Sequence, residues 1–429
     1  MSRIRLRLLA AIGAVSCALA LATAPPAGAV THPAGSIGSS IVIARAADLI
    51  GDYDVAANSA GTAYIGWITN SGSPDFRQVH LCTLPVAART CSGGVQTIPA
   101  GGSTATDLRV LLTSSGTVLL VWFRDGDHAL DGPQGGEIAE ATAASGLHLT
   151  AATAVASAPS HGELLDAELS PGGSLYTVAY SGVGTTAVQV RSAPSSPYVT
   201  LHSHYSIGEG QLAFAGNTPV LAITKYGAVS TPAGWTARAS NGSWSAFANV
   251  AATWTTGGLT LVRTAHGTRL ITGINDASYH PVLAAWNGHG FNRRVGTVDK
   301  SNCGPSSHDG TTDASGRLLD VSWECNDVTI ANYADGAHAA LTRIHVPGTP
   351  TATPQIGSGR RGIATVAWSN ENAKGGSDLH VSRVRLATAT RTVHGHATGG
   401  ACTSAARSRA CRRRTPTSGC AAMPPAAGS

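Results

Sequence analysis

The sequence predicts an all-β protein, a β-propeller of about seven four-stranded antiparallel blades, on three observations. A phrase recurs: "SAGTAYIGW" (59–67) and "SSGTVLLVW" (114–122) both read small–small–Gly–Thr, then an apolar run ending in Trp. The phrase belongs to a series. Gly61, Gly116, Gly173, Gly216, Gly267, Gly316 and Gly362 each open such a run, at steps of 55, 57, 43, 51, 49 and 46 residues. Near-copies at a period of about 50 residues are the mark of one supersecondary unit repeated. Third, no long segment carries a 3.6-residue apolar period with caps, so helices are expected to be nearly absent.

Each unit reads as four short strands. In the first, "YDVAAN" precedes the Gly turn and "TAYIGWI" follows it, then "RQVHLCTL" and "VQTIPA". In the fourth the series is "GQLAFAG", "PVLAITKY", "GWTARAS" and "SWSAFANV". Runs rich in Val, Ile, Thr and aromatics between Gly, Asn, Ser and Pro are strand-and-turn writing. "SNGS" (240–243) and "WNGH" (286–289) place Asn-Gly, the preferred tight hairpin turn, at similar positions in adjacent units. Four-stranded antiparallel units repeated four to eight times describe a propeller. Six or eight blades are the alternative counts. A two-layer sandwich array would need two domains and a linker, and no linker is visible inside 45–390. Trp67, Trp122, Trp323 and Trp368 are expected toward the wider blade rim. The last unit lacks a clear fourth strand after "DLHVSRVRLAT", and "SSIVIARA" (39–46) is a candidate to supply it.

The organisation follows: 1–29 a secretory signal peptide, 30–44 an N-terminal segment with a possible ring-closing strand, 45–393 the propeller, and 394–429 a disordered basic tail. Arg3, Arg5 and Arg7 precede an apolar run from Leu8 to Thr23, and Ala27-Gly28-Ala29 is a small-x-small cleavage site. A single membrane anchor, or lipidation at Cys17, are the alternatives. From Ala401 to Ser429 five Arg are the only charges. Such a stretch cannot bury a core. It reads as an arm for an anionic polymer, a neutral tail, or an out-of-frame read of GC-rich DNA. Without both ends, residues 30–400 hold 21 Lys+Arg against 24 Asp+Glu, a net charge of −3. The basic pI therefore belongs to the termini and does not argue for nucleic-acid binding by the body. Cys82 and Cys91, and Cys303 and Cys325, are expected to form two local disulfides in an oxidising compartment. A metal site would want four soft ligands at close spacing, which are missing.

Candidate chemistry sits just ahead of the repeat glycines. Asp54, Asp166, Glu209 and Asp309 lie seven residues before one, and Asp52 and Asp107 nine before. Seven and nine have one parity, so on regular strands these side chains point the same way. If the inner strands converge on a channel, Asp52, Asp107, Asp166, Glu209 and Asp309 form an acidic mouth. That mouth would bind sugar hydroxyls or a cation, or hold an acid/base pair. The alternative is that each Asp merely caps a turn before a strand. "DGDHALDG" (125–132) is an incomplete calcium loop, and "HSH" (202–204) pairs two His without a third ligand. No catalytic residue is assigned, and no metal or cofactor is expected.

The blade phrase, a strand followed by Ser-x-Gly-Thr and Trp, resembles secreted bacterial propellers of the sialidase-like (BNR-type) and uncharacterised repeat class. The resemblance is one of architecture across most of residues 45–390. The sialidase Asp box has its nearest counterpart in "SNGSW" (240–244), which lacks the Asp, and the Phe/Tyr-Arg-Ile-Pro stretch is absent. Its arginine triad and its Tyr–Glu pair match no positions here. The expectation is a secreted, monomeric, non-catalytic module for an extracellular glycan or protein, with no nucleic-acid partner and no membrane association after signal cleavage. A glycoside hydrolase or lyase on the same scaffold is the alternative.

Overall fold

The computed structural model describes residues 36–386 apart from 47–49, 71–76, 103, 126–134, 161–162, 181–185, 194, 226–232, 251–258, 266, 273–281, 296–305, 334–339 and 361. The chain divides into two units, Met1–Thr390 and Arg391–Ser429, and every described residue belongs to the first. The expected signal peptide, the basic tail, Cys303 and most of the stretch at 125–132 lie outside the described residues.

Seven antiparallel sheets follow one another along the chain. Their first strands are Tyr53–Ala57, Ala105–Leu112, Leu164–Leu169, Ile207–Ala215, Leu259–Thr264, Ser306–Thr312 and Gln355–Arg360. Each lies beside the first strand of the next sheet, and the seventh returns to the first, so the circuit closes. The fold is a seven-bladed β-propeller with these strands innermost. A single 3-10 turn, Ala144–Gly146, is the helical element among the described residues.

The recurring phrase has a local cause. All seven repeat glycines sit in the turn from inner to second strand with positive φ, from 63° at Gly216 to 100° at Gly267. Only Gly adopts that conformation without cost. The apolar run that follows is buried on both faces. Seven hydrophobic clusters each fill one junction between blades, and every second strand whose side chains are described contributes to two of them. Leu119 and Val121 pack toward blade 3 while Leu120 and Trp122 pack toward blade 1. A strand covered on both sides reads as a continuous apolar run rather than an alternation.

The tryptophans fill space between blades. Trp67, Trp122, Trp323 and Trp368 are buried on second strands, in the clusters between blades. Trp122 Nε1 donates to the Ala100 carbonyl and Trp323 Nε1 to that of Ala352, both in connections between blades. The indole needs an acceptor once buried, and the inter-blade connection supplies one.

The seventh blade is completed from the other end of the chain. Ile41–Ala46 and Ser36–Ile37 pair antiparallel with Ser377–Arg385, Ile41 opposite Val381 and Ile37 opposite Val384. Across the same seam, Arg383 donates to the carbonyls of Gly61 and Leu84 in blade 1. A disulfide joins Cys82, fully buried on the third strand of blade 1, to Cys91 beyond the following turn. Cys325 is also disulfide-bonded.

Candidate functional site

The inner strands enclose a cavity of about 620 Å³ at the end of the ring opposite the glycine turns. Asp52, Asp107, Asp166, Glu209 and Asp309 all line it, although 257 residues separate the first from the last. Asp54, Glu163 and Glu168 bring its carboxyl groups to eight, against Arg109 as the one Lys or Arg of the lining.

Pairing register sorts these residues into layers. Opposite Gly66, Val121, Val178, Ala222, Ile271, Val321 and Ala367 on the second strands stand Asp54, Arg109, Asp166, Gln211, Thr260, Asp309 and Gln355. This polar girdle carries a repeated hydrogen bond. Asp54 Oδ2 accepts from the backbone N–H of Val110 in blade 2 (2.6 Å). Asp166 Oδ2 accepts from Leu212 (2.6 Å), Gln211 Oε1 from Leu261 (2.8 Å) and Asp309 Oδ2 from Ile356 (2.8 Å). In each case the donor is the residue just after the girdle residue of the next blade. The second carboxylate oxygen is engaged as well: Asp54 Oδ1 accepts from Val55 N–H and Asp166 Oδ1 from Ala167 N–H. At the junction of blades 2 and 3 the polarity reverses. There Arg109 Nε donates to Asp166 Oδ1 (3.1 Å) and Nη2 to the Leu165 carbonyl (2.9 Å). With its amide oriented by its neighbours, Gln355 nitrogen lies 3.2 Å from both Asp54 Oδ1 and Asp309 Oδ2.

The acids thus line the cavity and clasp adjacent blades at once, so site and capping are not exclusive readings. The expectation that residues seven and nine before glycine share one orientation fails for two reasons. Register shifts interrupt the inner strands between Thr106 and Arg109, Leu164 and Asp166, Ile207 and Gly210, and Ser306 and His308. A bulge adds a residue and re-aims its neighbours. In blade 4 the inner turn is also shorter, so Gln211 rather than Glu209 occupies the girdle. Glu209 lies in the outer layer with Asp52 and accepts from the Leu259 N–H of blade 5.

Asp107 stands apart. It sits in the bulge of blade 2 with φ 58°, uncommon for a non-glycine residue. Its N–H donates to Asp52 Oδ1 (3.1 Å) and its Oδ2 accepts from the Thr106 hydroxyl (2.9 Å). Burial, reinforced by the neighbouring Asp52 charge, pushes the Asp107 carboxyl up to about 7. Burial likewise raises Asp309 to about 8, helped by Asp54, and Glu168 to about 8, helped by Asp166 and Asp54. Asp52, Asp54, Asp166 and Glu209 are raised in the same direction by burial, against the opposing pull of their hydrogen bonds and cationic neighbours. Burial pulls the Arg109 guanidinium down, but Asp166, Asp54 and Asp107 more than offset it and leave Arg109 firmly charged.

Several positions of the girdle and cavity wall were not singled out from the sequence. Arg109, Thr260 and Gln355 lie seven before their glycines, so the same count over all polar types finds them. Gln211 is hidden by its shorter turn. Glu168 points into the throat one pleat below the girdle. His202 and His204 are exposed, and among the described residues no group of three or more His, Cys, Asp or Glu is placed to hold a metal ion.

No protein-family model matches the chain, and no curated protein matches it. Solved structures do. An α-L-arabinofuranosidase from Fusarium graminearum is 12% identical over 82% of this chain and 98% of its own, with a TM-score of 0.49. A protein of unknown function from Dyadobacter fermentans is 11% identical over 82% and 100%, TM-score 0.47. A Trypanosoma rangeli sialidase is 9% identical over 82% of this chain and 59% of its own, TM-score 0.43. At these levels they carry no argument for this chain, and the fold and site are read from its own residues.

Proposed function

We propose that the protein is an exported, non-catalytic binding propeller that holds a neutral, polyhydroxylated ligand, a glycan, in its central cavity. The observation that carries this reading is the state of the girdle acids. Asp54 and Asp166 receive backbone N–H groups on both carboxylate oxygens. Carboxylates fixed in this way are static acceptors, poorly free to shuttle a proton, yet they present an array of polar edges to ligand hydroxyls. Eight carboxyl groups against one guanidinium disfavour an anionic sugar such as a sialic acid or a uronate. Export is supported by the N-terminal basic–apolar–small pattern and by the Cys82–Cys91 disulfide.

One observation favours glycoside hydrolysis as the second reading. Asp107 is the carboxyl whose protein partner is a hydroxyl rather than a backbone N–H, and it lies against Asp52. Two acids of unlike environment are the usual arrangement for acid/base work. A panel of neutral, amino and uronic oligosaccharides, assayed for both retention and product release, separates the two. Retention of neutral sugars without products supports binding. Product release that Asp107→Asn abolishes supports the hydrolase. Retention of uronic or sialic sugars alone would overturn the charge argument.

A further inference from the structure

The second strand of blade 6, Leu318–Glu324, is buried at all seven positions, yet its two faces differ in chemistry. Leu319, Val321 and Trp323 pack with Ile356, Val366 and Trp368 of blade 7. The opposite face carries Asp320, Ser322 and Glu324. That face is turned to blade 5. Gly310 is paired with Asp320, and a Cβ at Gly310 would meet Thr260 and Val262 side chains. Leu318 and Tyr333, on the same face, share a cluster with Val262 and Leu283 of blade 5.

His308 completes this buried polar group. Its side chain has 0% exposure, and Nδ1 lies 3.1 and 3.2 Å from the two Asp320 oxygens. Its Nε2 and the Tyr333 hydroxyl make no hydrogen bond among the described residues. Glu324 lies on the same face, with Arg343 at 3.7 Å from its Oε2. From outside blade 6, Glu209 of blade 4 is the charged group that acts on His308. His308 and Glu209 both reach the wall of the central cavity. Three acids therefore act on one imidazole at a junction that also carries an apolar cluster.

We propose that the junction between blades 5 and 6 is a pH-sensitive seam: the His308 imidazolium balances the acids on the blade 6 face that packs on blade 5, and the junction loosens when that proton is lost to solvent. Burial opposes a charge on His308, but Asp320, Glu324 and Glu209 more than compensate, so its proton is held above the ordinary 6.5. The sign follows. A histidine raised on folding contributes stability in full below its unfolded value, and that contribution disappears as pH rises through the folded one. Deprotonation removes the cation that faces Asp320 in a poorly solvated interface and leaves Glu324 with Arg343 as its cation. Because His308 also forms cavity wall, loosening the seam changes the shape of the central site.

The test needs no ligand. Histidine side-chain NMR on the full folded chain, with His308 assigned by His308→Gln, should show a titration midpoint above 6.5 with Nδ1 remaining protonated. Hydrogen exchange, corrected for its intrinsic pH dependence, should rise in 318–333 on passing through that midpoint, by one decade for each unit by which the measured midpoint exceeds 6.5. Strands 63–70 and 118–125 should rise by less. Asp320→Asn should flatten the response. Should that variant fail to fold, the two wild-type measurements still decide. A midpoint at or below 6.5, or an exchange increase spread evenly over all blades, would overturn the seam. Neither outcome bears on whether the cavity binds a glycan.

Discussion

Asp54 of the first blade and Val110 of the second are joined by a 2.6 Å hydrogen bond from backbone N–H to carboxylate; Asp166 and Asp309 repeat it at two further junctions, and the Gln211 amide oxygen takes the carboxylate's place at a third. In a sheet the inner strand of a blade has no strand partner on its channel side at these positions. A side-chain acceptor reaching across the junction satisfies the donor instead. Asp54→Ala should therefore leave two buried N–H groups, those of Val55 and Val110, without acceptors. The expected loss is about 1–3 kcal/mol for each group left buried and unpaired. Asp54→Asn keeps one oxygen and should lose less. Chemical denaturation of both variants checks the order. Equal losses would mean that the carboxylate acts by charge rather than as a clasp.

How much of this was legible in the chain depends on range. Gly61 and its six counterparts announce a turn because positive φ is a property of one residue, and apolar runs such as "TVLLVW" announce burial on both faces. Counting back from those glycines also located Asp52, Asp107, Asp166, Glu209 and Asp309, because inner strands of a ring share an end. What escaped is what bulges and partners decide. The extra residue at Asp107 breaks the two-residue period without any local mark in the sequence. Gln211 takes the place expected for Glu209 because its turn is shorter. The pairing of His308 with Asp320 joins two strands whose register only the folded sheet sets.

The repeat glycines are not equivalent, and the difference is measurable. Gly116 has φ 83° with nothing within 4 Å of an added Cβ. Gly316 has φ 71°, and its Cβ would meet Ala265 backbone nitrogen at 2.7 Å. An alanine at either position is held in a left-handed conformation at a cost of about 1–3 kcal/mol. Gly316→Ala must in addition displace the backbone of blade 5. Thermal melts should place Gly316→Ala well below Gly116→Ala. Equal melting temperatures would show that the contact with Ala265 yields freely.

The Cys82–Cys91 bridge spans a sequence separation of nine. In the chain-entropy account a loop of that size is worth about 2–3 kcal/mol. Cys82 is fully buried, so Cys82→Ala with Cys91→Ala should preserve most packing and isolate the cross-link. The double variant should lose about that amount in urea, and reductant should have little further effect at this site. Peptide mapping without reduction should also recover Cys82 with Cys91 and Cys303 with Cys325. Crossed pairs would refute the second assignment.

The cavity acids set a direction for stability against pH. Asp107 at about 7, Asp309 at about 8 and Glu168 at about 8 are raised above the ordinary 3.8 to 4.5. A carboxyl raised on folding contributes stability in full below its unfolded value, and loses that contribution as pH climbs through the folded one. His80 works in the other direction. Burial between Trp67, Thr69 and Thr97 lowers it to about 4, so its contribution fades as pH falls from 6.5 toward 4. Together these give a melting temperature that falls as pH climbs from about 4.5 toward 8, with His80 offsetting one carboxyl's share of the fall below pH 6.5, and that levels off above pH 8. Asp309→Asn removes one raised carboxyl while keeping an oxygen for the Ile356 N–H, so its decline should be shallower than that of the wild type. Differential scanning fluorimetry from pH 4 to pH 9 measures both curves. A melting temperature that rises between pH 6 and pH 9, or a variant curve parallel to the wild type, would show that these carboxyls are ionised in the folded ring and that solvent reaches the cavity floor.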